Sequence, residues 1–137
     1  MTAGSRPTDA DLVAAARRNI ERAYSPYSKF KTGAVVLTEA GDVVDGTIVE
    51  NVSLGLAMCA ERVAMFNTAT IGATPAMLVL AAPDTAGSTT WPCGACLQVA
   101  LELGGPDLLV LVADDDGGPH QRAVLSELLP RGPRVER

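Results

Sequence analysis

Cys59-Ala60-Glu61-Arg62 and, about thirty residues later, Pro92-Cys93-Gly94-Ala95-Cys96 contain every cysteine of the chain. Three thiols and one carboxylate at these spacings can build an open zinc site with its own proton carrier. A structural zinc takes four protein ligands, whereas a catalytic one takes three and leaves a position for water. The only histidine, His120, ends the stretch Asp114-Asp115-Asp116-Gly117-Gly118-Pro119-His120. That stretch has the composition of a mobile acidic turn, so His120 reads as a solvated loop residue and the fourth position as open.

Both cysteine clusters fall where a loop enters a helix. A helix N-terminus carries partial positive charge and unpaired N–H groups. Thiols there ionise more readily, and a metal binds thiolates. Pro92 and Gly94 allow a tight turn that aims backbone N–H groups at sulfur. Three thiolates make zinc a weaker Lewis acid than three imidazoles would, so further positive charge is needed if bound water is to ionise near neutral pH. Arg62 is the candidate, hydrogen-bonding a cysteine sulfur. Glu61, two residues after a ligand on the same helix, can reach the open position without binding the metal. From there it can carry a proton from water to a ring nitrogen and then to a leaving amine. A Cys-x-x-Cys alone also fits a redox dithiol, but that reading leaves Cys59 and Glu61 without a task.

At 137 residues the chain reads as one domain, 1–137, able to bury roughly two thirds of its unfolded surface. Its net charge of −5 argues against a nucleic-acid partner. The basic tail from Arg131 to Arg137 reads as a solvated terminus. There is no apolar run of membrane-spanning length, and Met1 to Pro7 lack the apolar core of a secretory signal. An odd cysteine count favours a reducing compartment and a metal over a disulfide framework, which points to the cytoplasm.

The elements that must position the site follow from periodicity and breakers. Thr8 with Asp11 opens a helix expected to run through about Tyr24, stopped at Ser25-Pro26. Phe30 to Leu37 and Val43 to about Val49 read as strands joined by the turn at residues 39–42, with a loop from Glu50 to Gly55. Met58 to about Ile71 is helical, Pro75 breaks the pattern, and Met77 to Ala82 is a buried strand. Pro83 to Pro92 is a polar connection. A helix from Cys93 to about Leu103 and a strand from Leu108 to Ala113 follow, and residues near Gln121 to Leu129 form a last strand or a final helix. The order predicts an α/β fold: a mixed sheet between helical layers, with crossovers at the two cysteine helices.

The motifs together resemble the cytidine deaminase family in its small homotetrameric zinc form. The likeness covers Tyr24-Ser25-Pro26-Tyr27-Ser28-Lys29-Phe30 with Gly33-Ala34, Val49-Glu50-Asn51, both cysteine motifs with Gln98, and Glu127-Leu128-Leu129-Pro130. It implies a three-layer α/β/α fold, Zn2+ as cofactor on Cys59, Cys93 and Cys96, Glu61 as the proton shuttle, and a homotetramer or homodimer. It implies further that Phe30 packs on the pyrimidine ring, that Glu50 accepts from the sugar 3′-hydroxyl and that the Ala60 backbone reads the base. The implied reaction is hydrolytic attack at C4 of a cytosine nucleoside, releasing ammonia, as in pyrimidine salvage.

Several positions depart from the family pattern. Gly46-Thr47-Ile48-Val49-Glu50-Asn51 puts Ile48 where the family has a ribose-holding asparagine. Leu54 stands for a tyrosine that reaches a neighbouring subunit's sugar site, Leu97 for an arginine, and no phenylalanine follows Leu-Leu-Pro. The metal chemistry is kept while the sugar end is changed. The expected activity is deamination of cytidine or deoxycytidine. The alternatives are deamination of a modified aminopyrimidine nucleoside or base, such as a blasticidin-S-like compound, and a non-catalytic zinc-binding module.

Overall fold

The computed structural model describes residues 5–135, so Met1–Pro7 and the Arg131–Arg137 tail fall only partly within it. The first helix, α1 (Asp9–Ile20), starts on the anticipated capping box. The Thr8 hydroxyl accepts from the Asp11 amide (3.1 Å), and the Asp11 carboxylate accepts from the Thr8 amide (2.9 Å). It stops four residues short of the expected Tyr24. The amides of Glu21, Arg22 and Ala23 bond three residues back, tightening the chain into turns. Tyr24 then leaves to bridge the segment after the second strand, its amide donating to Ile48 and its carbonyl accepting from Glu50.

Five strands follow: β1 (Gly33–Thr38), β2 (Val43–Thr47), β3 (Pro75–Ala81), β4 (Leu109–Ala113) and β5 (Gln121–Val124). Their spatial order is β2-β1-β3-β4-β5, with β3 and β4 parallel and every other neighbouring pair antiparallel. Strand β2 therefore runs parallel to β3 across the intervening β1. The crossovers are α2 (Ala60–Thr70), between β2 and β3, and α3 (Gly94–Gly104), between β3 and β4. Pro75 opens β3, a position where a missing ladder donor is tolerated. The last segment is both of the elements the sequence left open: β5 turns directly into a one-turn helix, α4 (Leu125–Leu128), where the Glu127 carboxylate accepts from the Val124 amide (2.8 Å).

The three inner strands are buried on both faces, which is why their sequences are nearly unbroken apolar runs. Alternate residues divide between two cores. Val35, Leu37, Val79 and Leu111 pack with Leu12, Val13 and Ala16 of α1. Ala34, Val36, Leu78, Leu80, Val110 and Val112 pack with Ala60, Ala64, Met65, Leu97 and Leu101 of α2 and α3. The result is the three-layer α/β/α arrangement.

Glycine decides how closely α2 can approach. A Cβ on Gly46 of β2 would stand 2.4 Å from the Ala64 nitrogen and 2.5 Å from the Ala60 oxygen. Only a hydrogen there lets β2 touch the helix backbone that carries the first cysteine motif.

The acidic turn is more ordered than its composition suggests. The Asp114 carboxylate accepts from the Gly117 and Gly118 amides and from the Arg17 guanidinium, which also donates to the Asp114 and Gly118 carbonyls. In the described part of the basic tail Arg131, Pro133 and Arg134 are exposed, and the Gln98 amide of α3 tethers it by donating to the Pro133 carbonyl (2.8 Å).

Candidate metal centre and adjoining cavity

Because α2 and α3 both leave the sheet after strands running in one direction, their N-termini emerge on the same rim. Cys59 is the N-cap of α2 and Cys93 the N-cap of α3, and neither sulfur caps its own helix. Cys96 lies in the first turn of α3. The three Sγ atoms lie within 4.8 Å of one another, with Cys93 and Cys96 3.6 Å apart. Thiolates about 2.3 Å from a tetrahedral zinc are roughly 3.8 Å apart, so the donor set matches the ion in type and spacing. His120 is not part of this group; its Nε2 lies 3.5 Å from the Asp9 carboxylate.

Electrostatics within the cluster also call for a cation. Cys59 is drawn down to about 5, chiefly by a hydrogen bond from Cys96 and further by Arg62. Cys96 moves upward, because it gives that hydrogen bond and is buried beside other acids. Without a metal, then, one thiolate is stabilised at the expense of its neighbour. A cation held beside them would relieve that competition.

Arg62 makes the contact expected of it, Nη2 donating to the Cys59 sulfur over 3.4 Å, and this contact holds its guanidinium more firmly protonated than usual. Its Nε is buried with no hydrogen-bond partner among the described residues. Glu61 is 5 % exposed, and burial, with the nearby Cys59 charge, pushes its carboxyl up to about 7. A carboxyl poised there can both take and give a proton near neutral pH.

Glu61, Cys59 and Cys93 open into a cavity of about 160 Å³ whose other walls are Phe30, Thr32, Ile48, Leu80, Thr90 and Trp91. Phe30 and Ile48 both line this cavity. Glu50 and Ala60 are not among its lining residues. Ala60 is fully buried as the first residue of α2. The Glu50 carboxylate is held by the amides of Tyr27 (3.0 Å) and Ser28 (3.1 Å) and by the Ser28 hydroxyl. Those bonds, the Ser28 hydroxyl first, hold it below the usual carboxylate range.

Sequence reasoning passed over Thr32, Leu80, Thr90 and Trp91. The lone tryptophan directly before Pro92-Cys93 was the one available signal, since large aromatics beside reactive groups commonly form pocket walls.

Residues 6–112 match the model of the cytidine and deoxycytidylate deaminase zinc-binding region, and the chain belongs to this family of zinc-dependent hydrolytic deaminases. It is 40 % identical to the cytidine deaminase of Halalkalibacterium halodurans over 119 residues, 87 % of this chain and 89 % of that protein. It is 48 % identical to the cytidine deaminase of Mycobacterium tuberculosis over 108 residues, 79 % of this chain and 76 % of that one. The crystal structure of the Burkholderia pseudomallei cytidine deaminase superposes with a TM-score of 0.84 at 38 % identity, covering 90 % of this chain and 98 % of that one.

Proposed function

We propose that this chain hydrolyses the exocyclic amine of a cytosine nucleoside, with cytidine or deoxycytidine the first substrates to test. The observation that carries the reading is the buried Glu61 carboxyl opening into the same cavity as two of three clustered thiols. Cys59, Cys93 and Cys96 would hold zinc, which when bound supplies the Lewis acidity that makes water a nucleophile near neutral pH.

The protein's own residues account for the remaining work. Glu61 takes one proton from water and delivers it to the ring nitrogen as the oxygen bonds to C4. It then takes the second proton from that oxygen and hands it to the amine, so that the C4–N bond breaks, the carbonyl forms and ammonia leaves. Phe30, Leu80 and Trp91 exclude bulk water and pack on a flat ring, and low polarity strengthens the hydrogen bonds Glu61 makes to it. Arg62 keeps the sulfur cluster from accumulating uncompensated negative charge. The Ala60 backbone is assigned to reading the base and Glu50 to the sugar. Zinc content together with turnover of cytidine, deoxycytidine, cytosine, 5-methylcytidine and blasticidin S tests the assignment. A zinc-loaded protein inert on all five overturns it.

One observation favours the narrower alternative of a modified aminopyrimidine nucleoside. Ile48 offers the cavity only carbon, and the Glu50 oxygens are already engaged by Tyr27 and Ser28. Efficient turnover of cytidine itself removes this alternative.

A homo-oligomer is supported by the segment between β2 and α2, where Val52, Leu54 and Leu56 are 80 %, 83 % and 68 % exposed. Apolar side chains gathered so openly mark a surface that another chain covers. We assign them to contacts between copies of this chain.

A further inference from the structure

Thr32 lies just before β1 and lines the cavity beside Ile48, whose amide donates to the Thr32 carbonyl (3.3 Å). That carbonyl also accepts from the Thr47 hydroxyl (3.2 Å). The Thr32 hydroxyl itself makes no hydrogen bond among the described residues, although the residue is only 5 % exposed. The hydroxyl is not sealed in: among the described residues Arg62 Nε is the one fully buried side-chain polar atom without a partner, so the unpaired Thr32 oxygen keeps some exposure, and its residue lines the cavity. The other hydroxyl in the wall, on Thr90, is committed: it donates to the Pro83 carbonyl (2.6 Å) and meets the Thr85 hydroxyl. Phe30, Ile48 and Leu80 present only carbon.

Register indicates which way Thr32 faces. Ala34 pairs with Leu80 and Gly33 with Ala81, so Thr32 stands beyond Leu80 along the sheet, on the α2 and α3 face by alternation. It therefore continues the wall above the cavity residue Leu80, next to Ile48.

We propose that the Thr32 hydroxyl hydrogen-bonds an oxygen of the bound pyrimidine ligand and is a specificity-determining residue, making the polar contact that Ile48 cannot. This rests on the deaminase reading above. Glu61 and the thiols serve the reacting amine; Thr32 is the uncommitted hydroxyl left for an oxygen function of the ligand.

Trp91 is the chain's single tryptophan and lines the same cavity, so its fluorescence reports binding without turnover. Zinc-loaded wild type, Thr32→Val and Thr32→Ser are titrated with uridine, uracil and, for kinetics, cytidine. Thr32→Val keeps the shape and loses the hydroxyl. It is expected to bind uridine about tenfold more weakly, raise KM for cytidine with kcat retained, and melt no lower than wild type. Thr32→Ser should restore binding to within about threefold. Weakening confined to uridine assigns the contact to the sugar, and weakening shared with uracil to the ring carbonyl; both support the proposal. Thr32→Val binding as tightly as wild type overturns it, as does weakening that Thr32→Ser fails to rescue or that accompanies a lowered Tm. If wild type neither binds uridine nor deaminates cytidine, the deaminase reading falls as well. If wild type does both and Thr32→Val matches it, only the Thr32 assignment falls.

Discussion

The Arg62 guanidinium donates to the Cys59 sulfur across 3.4 Å, so the first turn of α2 sets a fixed positive charge against the sulfur of its own N-cap. Replacing Arg62 by Gln removes the charge and most of the hydrogen bond. In metal-free protein, ultraviolet titration of thiolate should show the lowest midpoint rising from about 5 by roughly one unit. The hydrogen bond from Cys96, the larger cause, keeps it from returning to the ordinary range. An unmoved midpoint would show that the contact does not set the ionisation.

Glu61→Gln separates chemistry from folding. Loss of the proton carrier should lower kcat by about 10²–10⁴ with zinc content unchanged. Stability of the metal-free protein should respond in the opposite sense. The folded value of about 7 lies above the ordinary 4.5, so as pH rises the unfolded chain loses this proton first. Folded stability therefore declines between pH 4.5 and 7, by about 3 kcal/mol at ~1.4 kcal/mol per unit. Glutamine has no such penalty. Metal-free Glu61→Gln should be the more stable protein at pH 8 and lose that advantage at pH 4, as denaturant melts would show.

Ile48→Asn returns an amide to the wall of the cavity. If cytidine is the substrate, KM should fall by about tenfold, the worth of one hydrogen bond to a hydroxyl. If a modified nucleoside is the substrate, the same change should leave cytidine turnover poor. Steady-state kinetics on both nucleosides decides.

Gly46→Ala tests how α2 is seated. The added methyl meets helix backbone at 2.4 Å, which no side-chain rotation can relieve. Overpacking of this kind costs about 1–3 kcal/mol, and the displaced helix carries Cys59 with it. We expect a lower Tm and less than one zinc per chain. Gly55→Ala, with nothing within 4 Å inside the chain and no contact with α2 backbone, should leave the zinc content unchanged and so serves as the control for that readout.

Leu54→Asp tests self-association. At 83 % exposure the leucine contributes little to a lone chain, so folding should be unaffected while light scattering shows smaller particles. If the wild type already scatters as a monomer, the interface assignment is wrong.

The parts of this molecule governed by local chemistry were legible in its sequence. Thr8 and Asp11 cap a helix through atoms three residues apart, and cysteines three apart on one helical turn must lie together. The end of α1 was not legible, because Tyr24 is pulled out of the helix by a partner, Ile48, that only the fold brings near. The environment of Glu50 was hidden for the same reason: Tyr27 and Ser28 reach it from a turn more than twenty residues away. Thr32 drew no notice because a threonine at the start of a strand is ordinary. It stands out only when its neighbours are known and none of them meets its hydroxyl.

The shared heading of β2, β3 and β4 has an effect that outlasts any single side chain. Two backbone termini converge at the thiol cluster, and the attraction they exert on negative charge belongs to the peptide groups. A protein with all three cysteines changed to serine would lose its zinc ligands and keep that backbone field, because the field is set by the course of the strands and not by any side chain.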